Sequence, residues 1–499
     1  MKQTLKNIFL GISILGCFQG YGQLLDTYDI STSPNGVIPM PSGVGSNYSS
    51  FTKYTKIQAP NGQAIHFIAQ NALTDAQIVR ARNILTFYLT DLPGSQYGSD
   101  KSAVMNKMGT NNAVLMLLNG SDDGNPPEVD GQPLYQNEIA VEGHAWYTMN
   151  NYDHRDASFE EILHLMHDYG IGVDNNGTPS PYGALPDYQA EIRAAQDNAD
   201  NNNFAIWPTG QTNWYNELAN ENSLSQEYLA SVVDSYYGLW EPWTDGNGMT
   251  GMWGLYIAKT RAEIQTEDPM GYALIPKYFS PNININMDID PSFTGIFNLT
   301  RTPSEPYTYK SQYLQHVTLM GSNASGIKGN HLDNNLNGNA ANNTLEGVKG
   351  DDIIDGKAGE DIAIFTGARS EYTITNHTTH LIVNDLITNR DGMDKVINCE
   401  TLQFTDQDVE TEGILNLDEL DNTLIDVYTN ANTLHICLPQ SMDNNNVLFL
   451  TDINGKQLHY GSYNTPSIDL NISTYPKGIY LLNIVTKTGE TFKQKFVIQ

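Results

Sequence analysis

The sequence is short of cysteine, of basic side chains and of long apolar runs. Only three cysteines occur among 499 residues, Cys17, Cys399 and Cys437, which excludes a disulfide framework. Lys and Arg number 26 against 57 Asp and Glu, a formal net charge of −31. Such a surface repels nucleic acid and anionic lipid, so polyanion binding is excluded. After the amino terminus no stretch reaches the ~18 consecutive apolar residues of a membrane span, so no transmembrane segment is expected in the mature chain. A GxSxG elbow, a P-loop and a GxGxxG after a strand are also missing.

What is present begins with a targeting segment. Lys2 and Lys6 make a basic start, Ile8 to Phe18 an apolar core, and Gly20 to Gln23 a small-residue exit. This is the layout of a secretory signal peptide over residues 1–22, cut near Gly22/Gln23. Ile14-Leu15-Gly16-Cys17 resembles a lipobox, the rival reading. The mature chain then holds only Cys399 and Cys437, in what read as different domains, so thiols are expected rather than a bridge.

Composition divides the rest. Residues 23–300 hold all six Trp and every candidate helix; 320–410 are rich in Gly, Asn and Asp; 411–424 form an acidic linker; 425–499 read as short alternating strands with turns. Carboxylates in such excess suit hard cations, calcium above all. Paired acids such as Asp122-Asp123 and Asp351-Asp352 read as loop or calcium residues rather than glycosidase acids.

The Gly-rich region repeats every nine residues. Gly329, Gly338, Gly347 and Gly356 open the units, position six carries Asn334, Asn343, Asp352 and Asp361, and position eight Leu336, Leu345, Ile354 and Ala363. A six-residue turn and a three-residue strand explain this: glycines permit positive φ, position six faces the neighbouring turn, and position eight enters a narrow core. Stacked turns would hold calcium between carbonyls and carboxylates. The pattern resembles the hemolysin-type calcium-binding repeat of RTX proteins, best in GVKGDDIID and GKAGEDIAI. The resemblance implies a parallel β-roll with calcium ligands at Asn343, Gly347, Gly350, Asp352, Gly356, Gly359 and Asp361. Asp391-Gly392-Met393-Asp394 and Glu400 to Phe404 resemble the segment that caps such rolls.

Residues 425–499 alternate with period two, as in Tyr480, Leu482 and Ile484, and suggest an antiparallel β-sandwich of about six strands. Asp452-Ile-Asn-Gly-Lys456, Lys477-Gly-Ile-Tyr-Leu481 and the closing Lys493 and Lys495 resemble the type A C-terminal sorting domain of type IX secretion cargo, although Thr429-Asn430 stands where a Pro-Asn pair is usual. The resemblance implies a Bacteroidetes-type bacterium, the type IX secretion machinery as partner, and a secreted or cell-surface location.

Within 23–300 the pattern predicts a strand at 65–69, a helix at 73–90, a buried strand at 113–118, an alternating edge strand at 138–147, and a helix from Ser158 to Gly170. In that last helix Glu160 and His164, spaced i and i+4, share a face and can ligate one metal. Glu161, one residue on, is placed to act as general base. The string EEILHLMHDYG resembles the HExxHxxDDY helix of lethal-factor-like zincins at Glu161, His164, Asp168 and Tyr169, with Glu160 in place of the first His. QEYLAS, from Gln226 to Ser231, resembles their glutamate-bearing helix. The resemblance implies an α+β zincin-like fold, a zinc ion on Glu160, His164 and Glu227, Tyr236 as oxyanion stabiliser, and an extracellular protein or peptide substrate. The same residues also read as a capping box, Ser158 with Glu161, with Glu160 complementing the helix dipole. His167 or His144 could take the place of a ligand, and the Trp residues between 207 and 253 could line a cleft. Two readings stay open: a zinc-dependent endopeptidase with a calcium-stabilised roll, or a non-catalytic surface or adhesion protein on a degenerate zincin scaffold.

Overall fold

The computed structural model describes residues 25–499 except 141–143, 175–182, 202, 245–250, 303, 305, 378, 412–425, 431–432, 439–445, 453–456, 466, 486–490 and 499. The expected signal peptide, nearly all of the 411–424 linker and the Ile453–Lys456 turn lie outside the described residues. Two compact units are present: one runs to Thr375 and adds Leu381–Val409, the other comprises Asn376–His380 and Glu410–Gln499. No described helix is long and apolar enough to cross a membrane. Cys399 and Cys437 form no disulfide.

The first unit starts with a five-stranded sheet in chain order: β1 (Ile38–Pro39), β2 (Lys53–Gln58), β3 (Ala64–Ala69), β4 (Val114–Leu118) and β5 (Gln132–Tyr135). β1 to β3 pair antiparallel and β3 to β5 parallel. Every residue of β3 and β4 is buried, as a strand covered on both faces must be, so both read as apolar runs. One face carries a core of Tyr54, Ile68, Val114 and Met116. Helix Asp75–Leu89 packs against β2 and β3, and helix Ser158–Met166 against Asp75–Leu89 and β5. Thr74 and Gln77 close a capping box at the start of the first of these helices.

The predicted edge strand at 138–147 is corrected over its described residues, 141–143 lying outside them. Gln136–Glu138 and Ala145–Thr148 are short helical turns, and the edge strand is β5, parallel to its neighbour. The His144 Nδ1 accepts from the Trp146 amide at 3.2 Å, a local side-chain bond that favours a turn over a ladder. Tyr147 is drawn inward to Asp156, its hydroxyl 3.2 Å from Oδ2. Both described ends of the alternating stretch are therefore turns.

Further on, short strands alternate between two sheets. β6 (Ile283–Ile289), β8 (Leu314–Leu319), β10 (Asn335–Asn337), β12 (Ile353–Asp355) and β16 (Met393–Ile397) pair in parallel in one. β7 (Gly295–Asn298), β9 (Ser325–Lys328), β11 (Thr344–Glu346), β13 (Ile362–Ile364) and β17 (Thr401–Gln403) do so in the other. Asn335 lies opposite Ile353 and Thr344 opposite Ile362, so two nine-residue units make one coil. Leu336, Leu345, Ile354 and Ala363 fill the space between the sheets with no exposed surface. β14 (Tyr372–His377) and β15 (His380–Asp385) extend the first sheet, β15 antiparallel to β16, and β18 (Asp408–Glu410) edges the second. The parallel stack begins at Ile283 rather than near 320, because β6 to β9 join it without the glycine spacing that marks the later coils.

The second unit holds two antiparallel sheets, β19 (Asp426–Asn430), β20 (Thr433–Cys437) and β23 (Ser467–Asn471), and β21 (Asn446–Asp452), β22 (Gln457–Tyr463), β24 (Gly478–Val485) and β25 (Thr491–Ile498). Leu434, Ile436, Leu448, Leu450, Leu482 and Ile484 form their common core.

Candidate metal sites

Helix Ser158–Met166 buries Phe159, Ile162, Leu163 and Met166, which holds its other face toward helix Leu224–Tyr236. Its amino end has no side-chain cap from Ser158; instead the Ser158 amide donates to Asp156 Oδ1 at 2.9 Å. The capping-box reading of Glu161 is therefore corrected. Gln132, on β5, donates to Glu161 Oε2 at 2.7 Å, and that oxygen lies 3.6 Å from His164 Nδ1.

Glu160, His164 and Glu227 come together, each offering a ligand atom within 4.8 Å of the others. They are 5%, 7% and 2% exposed. His164 Nε2 is buried without a hydrogen-bond partner, 3.7 Å from Glu227 Oε1. That gap is too long for a hydrogen bond, whereas two donors on a tetrahedral zinc at about 2.0–2.2 Å stand roughly 3.4 Å apart. The donor set thus fits a zinc-sized ion.

The electrostatics are those of a carboxylate-rich pocket out of water. Burial pulls the His164 imidazole toward neutrality, but Glu227 and Glu161 outweigh it and hold the pKa well above the ordinary value. Burial pushes Glu227 up, and His164 opposes it. Asp234, 2% exposed, is raised by burial and by Glu160 while Trp240 Nε1 donates to it at 3.2 Å. Glu138 is pushed to about 7 by burial and by Glu161. The balancing cation is Arg155, which pairs with Glu160 and lies 5.5 Å from the Trp240 ring centroid. Arg155, Gln132, Asp234 and Glu138 are functional neighbours that spacing did not reveal. Only the position of Arg155, just ahead of a helix opening with two glutamates, hinted at one of them.

Other expected residues stand elsewhere. Tyr236 ends its helix nine residues after Glu227, roughly 13 Å along the axis. Its ring lies under the Arg261 guanidinium at 4.0 Å and beside Tyr237 and Tyr272, so the oxyanion role does not fit its position. His167 is buried, bonded through Nε2 to Gln189 Oε1 at 2.6 Å and pushed down to about 4 by burial. His144 is engaged by the Trp146 amide. Neither His belongs to the trio. Tyr169 donates to Asp130 at 3.1 Å. Trp207 and Trp240 are core residues, almost fully buried.

In the coils the position-six residues are all buried and form two ladders. Asn334 N donates to Asp352 Oδ1, and Asn343 N to Asp361 Oδ1, both at 2.7 Å. Asp352 Oδ2 and Asp361 Oδ2 are buried without partners. Burial, with nearby carboxylates, raises Asp352 to about 7 and Asp361 to about 6. Gly350 and Gly359 have φ of +127° and +133°, which the turns require. At Gly347 and Gly356 a Cβ would come within 2.1 and 2.5 Å of the unpartnered oxygens of Asp352 and Asp361. Buried carboxylate oxygens without donors fit a hard cation.

Residues 429–499 match the family described as Secretion system C-terminal sorting domain. The tail directs the chain to the type IX secretion machinery, and the protein is secreted or displayed at the cell surface. No curated protein matches the sequence. Among solved structures, an immunoglobulin-like β-sandwich protein of the DUF3244 family from Bacteroides vulgatus is 21% identical over 16% of this chain and 88% of its own, with a TM-score of 0.15. PorZ, a surface component of the type IX secretion system of Porphyromonas gingivalis, is 13% identical over 26% of this chain and 16% of its own (TM-score 0.14). The extracellular lipase LipA of Serratia marcescens is 11% identical over 83% of this chain and 62% of its own (TM-score 0.16). At these scores none of the three carries an argument.

Proposed function

We propose that the protein is a secreted zinc-dependent metallopeptidase whose zincin-like domain is joined to a calcium-stabilised β-roll of RTX type. The observation that carries this reading is the buried trio Glu160, His164 and Glu227, with an unpartnered imidazole nitrogen facing a carboxylate across 3.7 Å. Zinc, when bound, would supply Lewis acidity toward a peptide carbonyl and an attacking water. Glu161, the most exposed of the four, would accept the proton from that water, with Gln132 fixing its orientation. Arg155 would offset the charge added by a glutamate where zincins have histidine.

The test is casein hydrolysis by the purified chain and by Glu161→Gln. Loss of activity by ~100-fold or more, with zinc content and folding unchanged, is the expected result. Equal rates in the two proteins would remove Glu161 from the reaction. The second reading, a non-catalytic surface or adhesion protein on the same scaffold, is favoured by the Arg155–Glu160 pair, which partly balances the pocket without any metal. It predicts neither zinc nor hydrolysis in the wild-type chain.

A further inference from the structure

One buried carboxylate beside the trio uses only half of its bonding capacity. Asp234 lies on helix Leu224–Tyr236 seven residues after Glu227, two turns on along the same face. It is 2% exposed. Its Oδ2 accepts from Trp240 Nε1 at 3.2 Å, while Oδ1 is buried with no hydrogen-bond partner. A charged oxygen left so bears its full desolvation penalty. The indole N–H needs only a neutral acceptor, which an asparagine would supply. The charge on Asp234 therefore answers to something other than Trp240.

A cation stands on the same indole. The Arg155 guanidinium lies 5.5 Å from the Trp240 ring centroid, and Tyr152 stacks on that ring at 5.1 Å. Burial works against the charge on Arg155, but Glu160 and then Asp234 outweigh it. Asp234 in turn is raised by burial and by Glu160, and Arg155 opposes both. One guanidinium thus faces two buried carboxylates. It pairs with Glu160 through Nη2, and Asp234 keeps an oxygen open. The pairing with Glu160 has a consequence for metal binding, because a carboxylate committed to a guanidinium is a poorer donor to an ion.

We propose that Asp234 is a positioning residue of the zinc pocket: it receives the Arg155 guanidinium that Glu160 gives up on engaging the ion. The Trp240 and Tyr152 rings form the platform that keeps the guanidinium within reach of both acceptors. A neutral histidine at position 160 would need neither Arg155 nor Asp234, so the pair belongs with the glutamate of this chain. This rests on the zinc reading above and adds what governs its ligand Glu160.

Zinc affinity of the full chain, measured by competition with a chromophoric chelator, tests it in the wild type, Asp234→Asn, Arg155→Met and the double variant. Asparagine keeps an acceptor for Trp240 and removes the charge, so Asp234→Asn should bind zinc ~10–100-fold more weakly, as when a partner behind a ligand is lost. In the Arg155→Met background no guanidinium competes for Glu160, and the same substitution should lose most of that effect. Equal weakening in both backgrounds would mean that Asp234 acts through packing or directly on the ion, and would overturn the proposal. Unchanged affinity in Asp234→Asn would overturn it too. Arg155→Met alone should bind zinc more tightly than the wild type; weaker binding would overturn the proposal even where Asp234→Asn fails to fold. A wild-type chain that binds no zinc would overturn the zinc reading and this proposal with it.

Discussion

Glu160 is the residue on which the amino-terminal site turns. A second carboxylate at a zinc site is costly to bury, by several kcal/mol per ion when unpaired, and Arg155 supplies the compensation on the metal-free side. Replacing Arg155 by Met should therefore destabilise the metal-free protein by about 3–5 kcal/mol and the zinc-loaded protein by clearly less. Denaturant unfolding with and without zinc measures both; equal losses would mean that Arg155 is only a packing residue. Glu160 and His164 are legible in the sequence because helical spacing alone brings them to one face. Arg155, five residues before Glu160, is only hinted at by its position ahead of the helix, and Gln132 and Asp234 are not legible at all, because each meets the site through tertiary packing that no short spacing encodes.

At the scale of elements, the coils behave as a ladder whose core and turns can be probed separately. Ile354 lies between the sheets without exposure, while its neighbour Ile353 is 40% exposed. Ile354→Ala should cost about 2–5 kcal/mol and Ile353→Ala within about 0.5, as read by unfolding in saturating calcium. The carboxylates give a pH signature. In calcium-free protein Asp352 and Asp394 are held near 7 and 9, mainly by burial, against an ordinary value of 3.8. A raised folded-state pKa means that the folded chain keeps protons the unfolded chain has lost. Stability without calcium should then fall as pH rises from about 4 to 9. The midpoint shift caused by calcium should grow over the same range, and a flat profile would contradict the clustering of these acids. Position-two alternation within three-residue strands and a fixed glycine spacing make the late coils easy to read. β6 to β9 escape notice because an irregular connection with its own helix, Pro306–Ser311, breaks the period before it starts. At the described ends of 138–147 the cause is the opposite: an alternating pattern overridden by local turns, that of His144 among them.

For the whole molecule, the 57 acidic residues, 31 more than the basic ones, resolve into distinct uses. Glu160, Glu227 and Asp234 crowd one buried pocket, Asp352, Asp361, Asp394 and Glu400 line the coil ladders, and the sorting tail sends the chain to an extracellular setting. The account stands or falls on the buried pocket, and the most direct measurement is the zinc content of the purified full chain at saturating zinc, compared with His164→Ala. One zinc per chain in the wild type, lost in His164→Ala with the calcium response intact, is the predicted result. No bound zinc in the wild-type chain, or equal zinc in both proteins, would contradict it.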